Sequence, residues 1–578
     1  MAQFQTVVRN KNVVRNEKPQ GGETDRTPTK CGEESLHPTP PPTYPQSPNT
    51  LKPIMVYLAA AVAALAAATP LLASSSLLKA TAREPQASEA VPSSLRTCLG
   101  KTGVQVAYPS DSDYSALDIQ QNAALPKRKP GLFAVPREEG QVAAVIECVA
   151  KEGGKQKISS RSGGHSYTGY VLGSSDGWVV VDLQHLNYVT VDKGSKSAKV
   201  GAGGRLGPTA KTLAENGFAL PHGTCPTVGV GGHGLGGGYG FTSFQWGYLL
   251  DHITSMRLVK SDGTAVTVSA NENQDLWWAL RGAGSNNFGI VTEFTYALES
   301  APTKIVNWSE TFTTNQDCVQ AFLAMQDLTT ASGDQGWSKN IGGEFLATGE
   351  KGSEGHACSF SGQFLGSKDD YQKAMKKYND TITAKGVSAA SVNVKEFSSW
   401  ADALTDIMVD LSTSKVKPEP YYAKSLVTPS GVAYDKASFG KVMEAIDAAS
   451  SHGASFSWAF LGPNSKPNSV PQSSSAYVHR DSLYISQLYS YNFPTSNANG
   501  QQDRTYSAFN AMLSAAKAVK PSANWGAYVN YIDDRLIADG LDWGHYYYGS
   551  AVSRLKSIKQ SVDPKTIFDF PMAINHAA

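Results

Sequence analysis

His222–Gly240 reads HGTCPTVGVGGHGLGGGYG, nine glycines in nineteen residues interrupted by two histidines and a cysteine. Three readings compete for it. Gly229, Gly231 and Gly234 fit G-x-G-x-x-G, and Asp251 lies twenty residues past Gly231, the spacing of a dinucleotide-binding βαβ unit. The flanks oppose that reading: HGTCPTV is no buried strand, and LGGGYGFTSFQWG carries too much glycine to open a helix. His222, Cys225 and His233 are zinc-type ligands, but no fourth follows at regular spacing, so no metal is expected. The third reading is that the glycines let main-chain N–H groups approach a large anionic cofactor without side-chain interference. Set against it is the bland alternative of loop glycines with an incidental histidine and cysteine.

Sixty residues earlier, SSRSGGHSYTGY (Ser159–Tyr170) has the same character. Arg161, Ser162, Gly163, Gly164 and Ser166 surround His165 as a backbone cradle would. Both stretches place a reactive side chain, His165 or Cys225, where it would touch the cofactor itself.

Composition narrows the class. The chain has 578 residues, too many for one core, so two or more domains are expected. It is 41% hydrophobic and 17% charged, with 53 glycines and 30 prolines, a loop-rich globular composition. A net charge of +1 gives no electrostatic case for nucleic acid or an anionic membrane surface. Residues 1–53 are polar and proline-rich and read as a disordered extension. Residues 54–75 (IMVYLAAAVAALAAATPLLASS) have the short start, alanine-rich core and small-residue end of a secretory signal. Read from Met1, the 54–73 segment is instead an anchor, the one route to a membrane. The expectation is a secreted monomer. The sequons at Asn307 and Asn379 accord with export. With Cys31 in the discarded segment, Cys98 with Cys148 and Cys318 with Cys358 are possible bridges, leaving Cys225 unpaired.

From Leu95 the pattern is mixed α and β. Val142, Val145, Ile146 and Val149 mark an amphipathic helix, WVVVDL (178–183) a buried strand, and GPTAKTLAENG a helix stopped by Gly217. SMRLVKSDGTAVTVSA is a hairpin turning at Asp262-Gly263. After residue 300 the glycine loops thin out and longer alternating segments begin, which suggests a second domain.

RSGGHSYTGY, GTCPTVGVGGHGLGGGYG, WGYLLDHI, LWWALRGAGSNNFGIVT and the terminal AYVNYIDD and YYYGSAVSRLKSIKQSVDPKTIFDFP together resemble the berberine-bridge-enzyme-like flavoproteins of the vanillyl-alcohol oxidase superfamily. The resemblance runs from Leu95 to Ile574, and the most similar members are fungal gluco- and chitooligosaccharide oxidases. It implies an α+β fold: an FAD-binding domain from residues 95–300 completed by 526–578, around an inserted α+β substrate domain, 301–525, with an antiparallel sheet covered by helices. It implies FAD bonded to His165 through the 8α-methyl and to Cys225 at C6, with Gly229, Gly231, Gly232, His233 and Gly236 in the cofactor cradle. Two links draw electron density from the ring and make it more oxidising.

The implied reaction removes hydride from the anomeric C1 of a reducing-end sugar, giving a lactone, with O₂ becoming H₂O₂. Tyr531 matches the family's catalytic tyrosine. A phenol of pKa near 10 is a poor base without a partner. By the resemblance, the family's carboxylate position is Gly462 here and its cationic sugar-binding position is Gly342, so either Tyr531 works unaided or the nearby Asp533 assists it. Tyr167, Glu344, Trp458, Gln487 and Tyr528 are the expected substrate contacts. Val228 matches a position that admits O₂ when valine fills it. The departures at Gly342 and Gly462 leave a second substrate class open, an alkaloid, terpenoid or polyketide.

Overall fold

The computed structural model describes residues 91–578 apart from Ser414 and Asn492. The extension and signal expectations for residues 1–75 lie outside the described residues. Up to residue 300 the strands are β1 (Gln105–Ala107), β2 (Leu132–Val135), β3 (Ile158–Arg161), β4 (Val179–Asp182), β5 (Val189–Asp192), β6 (Ser197–Gly201), β7 (Phe218–Ala219), β8 (Ile253–Val259), β9 (Ala265–Ser269), β10 (Ile290–Ala297) and β11 (Glu299–Ser300). They form a four-stranded sheet, β1-β2-β4-β3, and a five-stranded sheet, β5-β6-β10-β8-β9. β2, β4 and β3 run parallel, while the second sheet is antiparallel throughout. Val179, Val180 and Val181 are fully buried, as a strand covered on both faces requires.

The β8–β9 hairpin turns at Gly263, whose φ of +85° is left-handed. The helix Glu139–Ala150 buries Val142, Val145, Ile146 and Val149, the stripe its spacing foretold. The 222–240 stretch differs from expectation. A six-residue helix, Val230–Leu235, does form on the glycine run and stops at Gly236. Gly237 and Gly238 then take positive φ values, which end it.

The remaining strands are β12 (Ile305–Phe312), β13 (Ile341–Ala347), β14 (Cys358–Phe364), β15 (Ser391–Phe397), β16 (Tyr421–Pro429), β17 (Ala454–Phe460) and β18 (Ser482–Tyr491). They make one antiparallel sheet in the order β15-β12-β14-β13-β17-β18-β16. Helices Asn315–Thr330, Lys368–Ala384, Lys436–Ala449 and Gln501–Lys517 supply Phe322, Met375, Val442 and Phe509 to a core shared with Phe345, Phe360, Phe456 and Trp458 of the strands. A second core joins residues of the first two sheets to the C-terminal helix Val552–Val562 and to Ile567 and Phe568.

Period-two alternation decides which side chains reach the other face of the large sheet. Glu344 pairs with Ala459, and Gln487 with Ser457, all on the face opposite the helices. Phe345, Phe456, Trp458 and Tyr484 fill the helix side.

Cysteines 98 and 148 are bonded, as are 318 and 358, and Cys225 is free. Asn307 cannot carry a glycan. Its side chain is buried, donating to Ala403 O at 2.8 Å and Asp406 Oδ2 at 3.1 Å and accepting from Gln363 Nε2 at 2.9 Å. Asn379 is exposed. No helix of the described residues is long and apolar enough to cross a membrane.

Candidate active site

The two glycine stretches meet. A Cβ placed on Gly163 would lie 2.2 Å from Gly229 N, and one on Gly229 would lie 2.1 Å from Gly163 N. No side chain fits at either point. Ser162 locks the contact, donating to Ala202 O at 2.6 Å and accepting from Gly231 N at 3.3 Å. Arg205 Nη1 donates to Gly163 O at 2.8 Å and also to Thr227 O.

A cavity of about 540 Å³ opens above this junction, within the range of small-molecule sites. Ser162, Gly163, Gly164, His165 and Ser166 line it from one loop, and Cys225, Gly229, Gly231, Gly232, His233 and Gly236 from the other. Gly164, at φ +76°, holds a left-handed turn before His165. A Cβ on Gly232 would meet nothing within 4 Å, so main chain there faces open cavity. Two adjoining stretches of bare backbone suit the pyrophosphate of an anionic cofactor.

The competing readings fail on geometry. Asp251 is held by Arg480 at 2.7 and 2.9 Å, so it is not free to bind a ribose. His233 Nε2 accepts from Gly223 N at 3.1 Å, and His222 Nδ1 lies 2.9 Å from Gly223 O, so main chain takes one nitrogen of each ring. Among the described residues no group of three or more His, Cys, Asp or Glu could hold a metal.

Thr227 joins the two reactive side chains. Its Oγ1 is 2.9 Å from His165 Nε2 and 3.4 Å from Cys225 Sγ. Burial, with a smaller push from Arg205, lowers His165 to about 3, so its ring is neutral at neutral pH.

The cavity also has an aromatic wall. The Tyr531 hydroxyl is 2.8 Å from that of Tyr239, and its ring stacks on Tyr167 with centroids 5.3 Å apart. Gln487 Nε2 donates to Tyr167 Oη at 2.6 Å. Burial pushes Tyr531 well above the usual phenol value, and neighbouring Tyr239 and Glu344 add to the rise. Glu344 lines the same space, and burial raises its carboxyl to about 7. Tyr528 also borders the cavity. Its hydroxyl is engaged by Gly238 N at 2.8 Å and Asn530 Nδ2 at 2.9 Å, so it braces the glycine loop.

Three expected site residues are elsewhere. Trp458 is fully buried among Phe322, Phe439 and Phe456, because alternation turns Ala459, not Trp458, to the cavity. Asp533 accepts from Tyr422 Oη at 3.1 Å and pairs with Lys424 at 3.1 Å; it does not line the cavity and cannot serve the Tyr531 hydroxyl. Arg161 points away from the cofactor cradle to Asp182 and Leu117 O, and anchors the loop from below.

Sequence reasoning missed Tyr239, Thr227 and Asn530. Thr227 lies two residues past Cys225, a spacing that offers a signal only once the cysteine's role is supposed. Tyr239 carried none, being one tyrosine within a glycine run.

Gly342 and Gly462 have steric causes. A Cβ on Gly342 would lie 1.8 Å from Phe241 O, and one on Gly462, at φ +86°, 2.0 Å from Thr329 O. No side chain can be built at either position on this backbone.

A mostly parallel sheet and an antiparallel sheet meeting at a backbone cradle, with the seven-stranded sheet closing the cavity, define an FAD-linked oxidoreductase. The family described as "FAD binding domain" matches residues 130–269, and "Berberine and berberine like" matches 527–575. The chain is 32% identical over 513 residues to a chitooligosaccharide oxidase of Gibberella zeae, covering 87% of this chain and 98% of that one. It is 31% identical over 515 residues to a xylooligosaccharide oxidase of Thermothelomyces thermophilus, covering 86% and 96%. A solved glucooligosaccharide oxidase from Acremonium strictum, whose FAD is termed 6-S-cysteinyl, 8α-N1-histidyl, superposes with a TM-score of 0.73 at 28% identity, covering 84% of this chain and all of that one. The chain belongs to the berberine-bridge-enzyme-like family of FAD-linked oxidases, with the α+β fold of the vanillyl-alcohol oxidase type.

Proposed function

We propose that this enzyme is a secreted oxidase with FAD bonded to His165 and Cys225, which converts the anomeric C1 hydroxyl of an oligosaccharide to a lactone. The observation carrying the proposal is that one cavity holds His165 and Cys225 together with the Tyr531–Tyr239 pair, Tyr167, Gln487 and Glu344. FAD, when bound, accepts hydride and returns both electrons to O₂, which leaves as H₂O₂.

The chain's own task is the hydroxyl proton. Tyr531 is a neutral phenol at neutral pH, so it moves a proton only by passing its own onward. Tyr239 is the hydroxyl it touches. Glu344, near 7, is the cavity carboxylate whose charge bears on both tyrosines, and we assign it the acceptor role left vacant at Gly462. Tyr167, stacked on Tyr531 and held by Gln487, offers a face to a pyranose ring. Secretion is supported by the two disulfides, which persist in oxidising compartments.

Steric exclusion of side chains at Gly342 and Gly462 favours a second reading, oxidation of a secondary metabolite in the same cavity. Peroxide release is the test, with cello-, xylo-, malto- and chito-oligosaccharides beside alkaloid, terpenoid and polyketide alcohols. Turnover of a sugar panel member, lost in Y531F, is the expected result. No peroxide from any sugar overturns the first reading.

A further inference from the structure

One hydroxyl sits between the two residues proposed to bond the flavin. Thr227 Oγ1 lies 2.9 Å from His165 Nε2 and 3.4 Å from Cys225 Sγ. Thr227 is buried, its carbonyl is held by Arg205, and a β-branched side chain has few rotamers. The hydroxyl is therefore fixed in place rather than free to find other partners.

A hydroxyl has one proton to give and lone pairs to accept with. If that proton points to Cys225 Sγ, the oxygen accepts the N–H of His165 Nε2. The neutral ring then carries its proton on Nε2 and a free lone pair on Nδ1. In the reverse arrangement Nδ1 holds the proton and cannot form a bond. Only the first arrangement leaves both anchors ready, with the Cys225 sulfur accepting the hydroxyl proton and Nδ1 nucleophilic. Burial supports this by keeping the imidazole neutral.

We propose that Thr227 is a positioning residue that makes Nδ1 of His165 the flavin-bonding nitrogen and holds the Cys225 sulfur for the second link. The proposal rests on the covalent reading of the site. In the first link a C–N bond replaces a C–H bond of the 8α-methyl. The methyl C–H and the imidazole N–H each release a proton. The electron pair left behind passes through the ring to O₂, which with both protons becomes H₂O₂. The second link balances in the same way, a C–S bond replacing the C6–H bond while the C6–H and S–H protons leave.

The test compares wild type, T227S, T227V and T227A purified as holoenzymes. Intact mass counts the links, flavin fluorescence on a denaturing gel gives the covalent fraction, and NMR of the flavin peptide identifies the bonded nitrogen. Wild type and T227S are expected to carry two links through Nδ1. T227V is expected to lose at least several-fold in doubly linked protein, or to show bonding at Nε2. T227A reports the same loss should valine prevent folding. T227V and T227A doubly linked through Nδ1 at the wild-type level overturn the role of Thr227 alone. A wild type without covalent flavin overturns the covalent reading as well.

Discussion

Substituting Gly229 with alanine tests how tightly the two loops must approach. Gly229 has φ −80° and ψ 134°, a conformation any residue adopts, so backbone freedom is not what requires glycine here. Contact requires it. The new methyl would lie 2.1 Å from Gly163 N, 2.4 Å from Ser162 Oγ and 2.7 Å from Gly163 Cα. Non-bonded heavy atoms settle near roughly 3.5–4 Å, so the loops must part by about 1 Å or more. Overpacking of this kind costs about 1–3 kcal/mol, and the unfolding midpoint should fall by a few degrees. The same parting stretches the 2.9 Å contact between Thr227 and His165 beyond hydrogen-bond range. G229A should therefore also lose flavin that survives acid precipitation. G440A is the control, because its methyl meets nothing within 4 Å in the helix Lys436–Ala449, away from the cavity lining, and should lower neither the midpoint nor the retained flavin. A G229A protein with wild-type midpoint and wild-type acid-stable flavin would refute the reasoning.

Three further outcomes follow from buried charge. D251A removes both carboxylate acceptors of the buried Arg480 and should cost about 3–5 kcal/mol in denaturant unfolding, since the guanidinium loses its buried counter-ion. Glu310 is buried with Oε2 unpartnered, and burial raises its pKa from 4.5 to about 7. The folded state keeps this proton where the unfolded state has lost it. Stability is therefore full below pH 4.5 and falls as pH rises towards 7, by up to about 1.4 kcal/mol per unit. E310Q should flatten that slope in urea titrations across the range. E344Q should lower kcat/KM by about 10²–10⁴-fold and erase a limb near pH 7 in its pH profile; an unchanged limb would remove Glu344 from the proton path.

Local patterns were legible where one element decides them. The Glu139–Ala150 helix, the β8–β9 hairpin and the buried β4 strand follow from spacing and turn residues alone. The residues of the cradle loops were also readable, because bare backbone is a local property. Trp458 shows where this stops. Its aromatic ring looked like a sugar platform, yet strand register turned it to the helix side and gave the cavity Ala459. Asp533 stands two residues from Tyr531, but the 3₁₀ turn at Val529–Tyr531 sends the two side chains apart.

The sequence by itself determined the class of enzyme, through two glycine stretches and a terminal segment whose requirements are local and steric. Tertiary structure alone decided which residues face one another across the cavity. Gly163 against Gly229, Thr227 between His165 and Cys225, and Tyr239 against Tyr531 join positions up to 292 residues apart. Such pairings depend on sheet register and loop packing, which no spacing along the chain encodes.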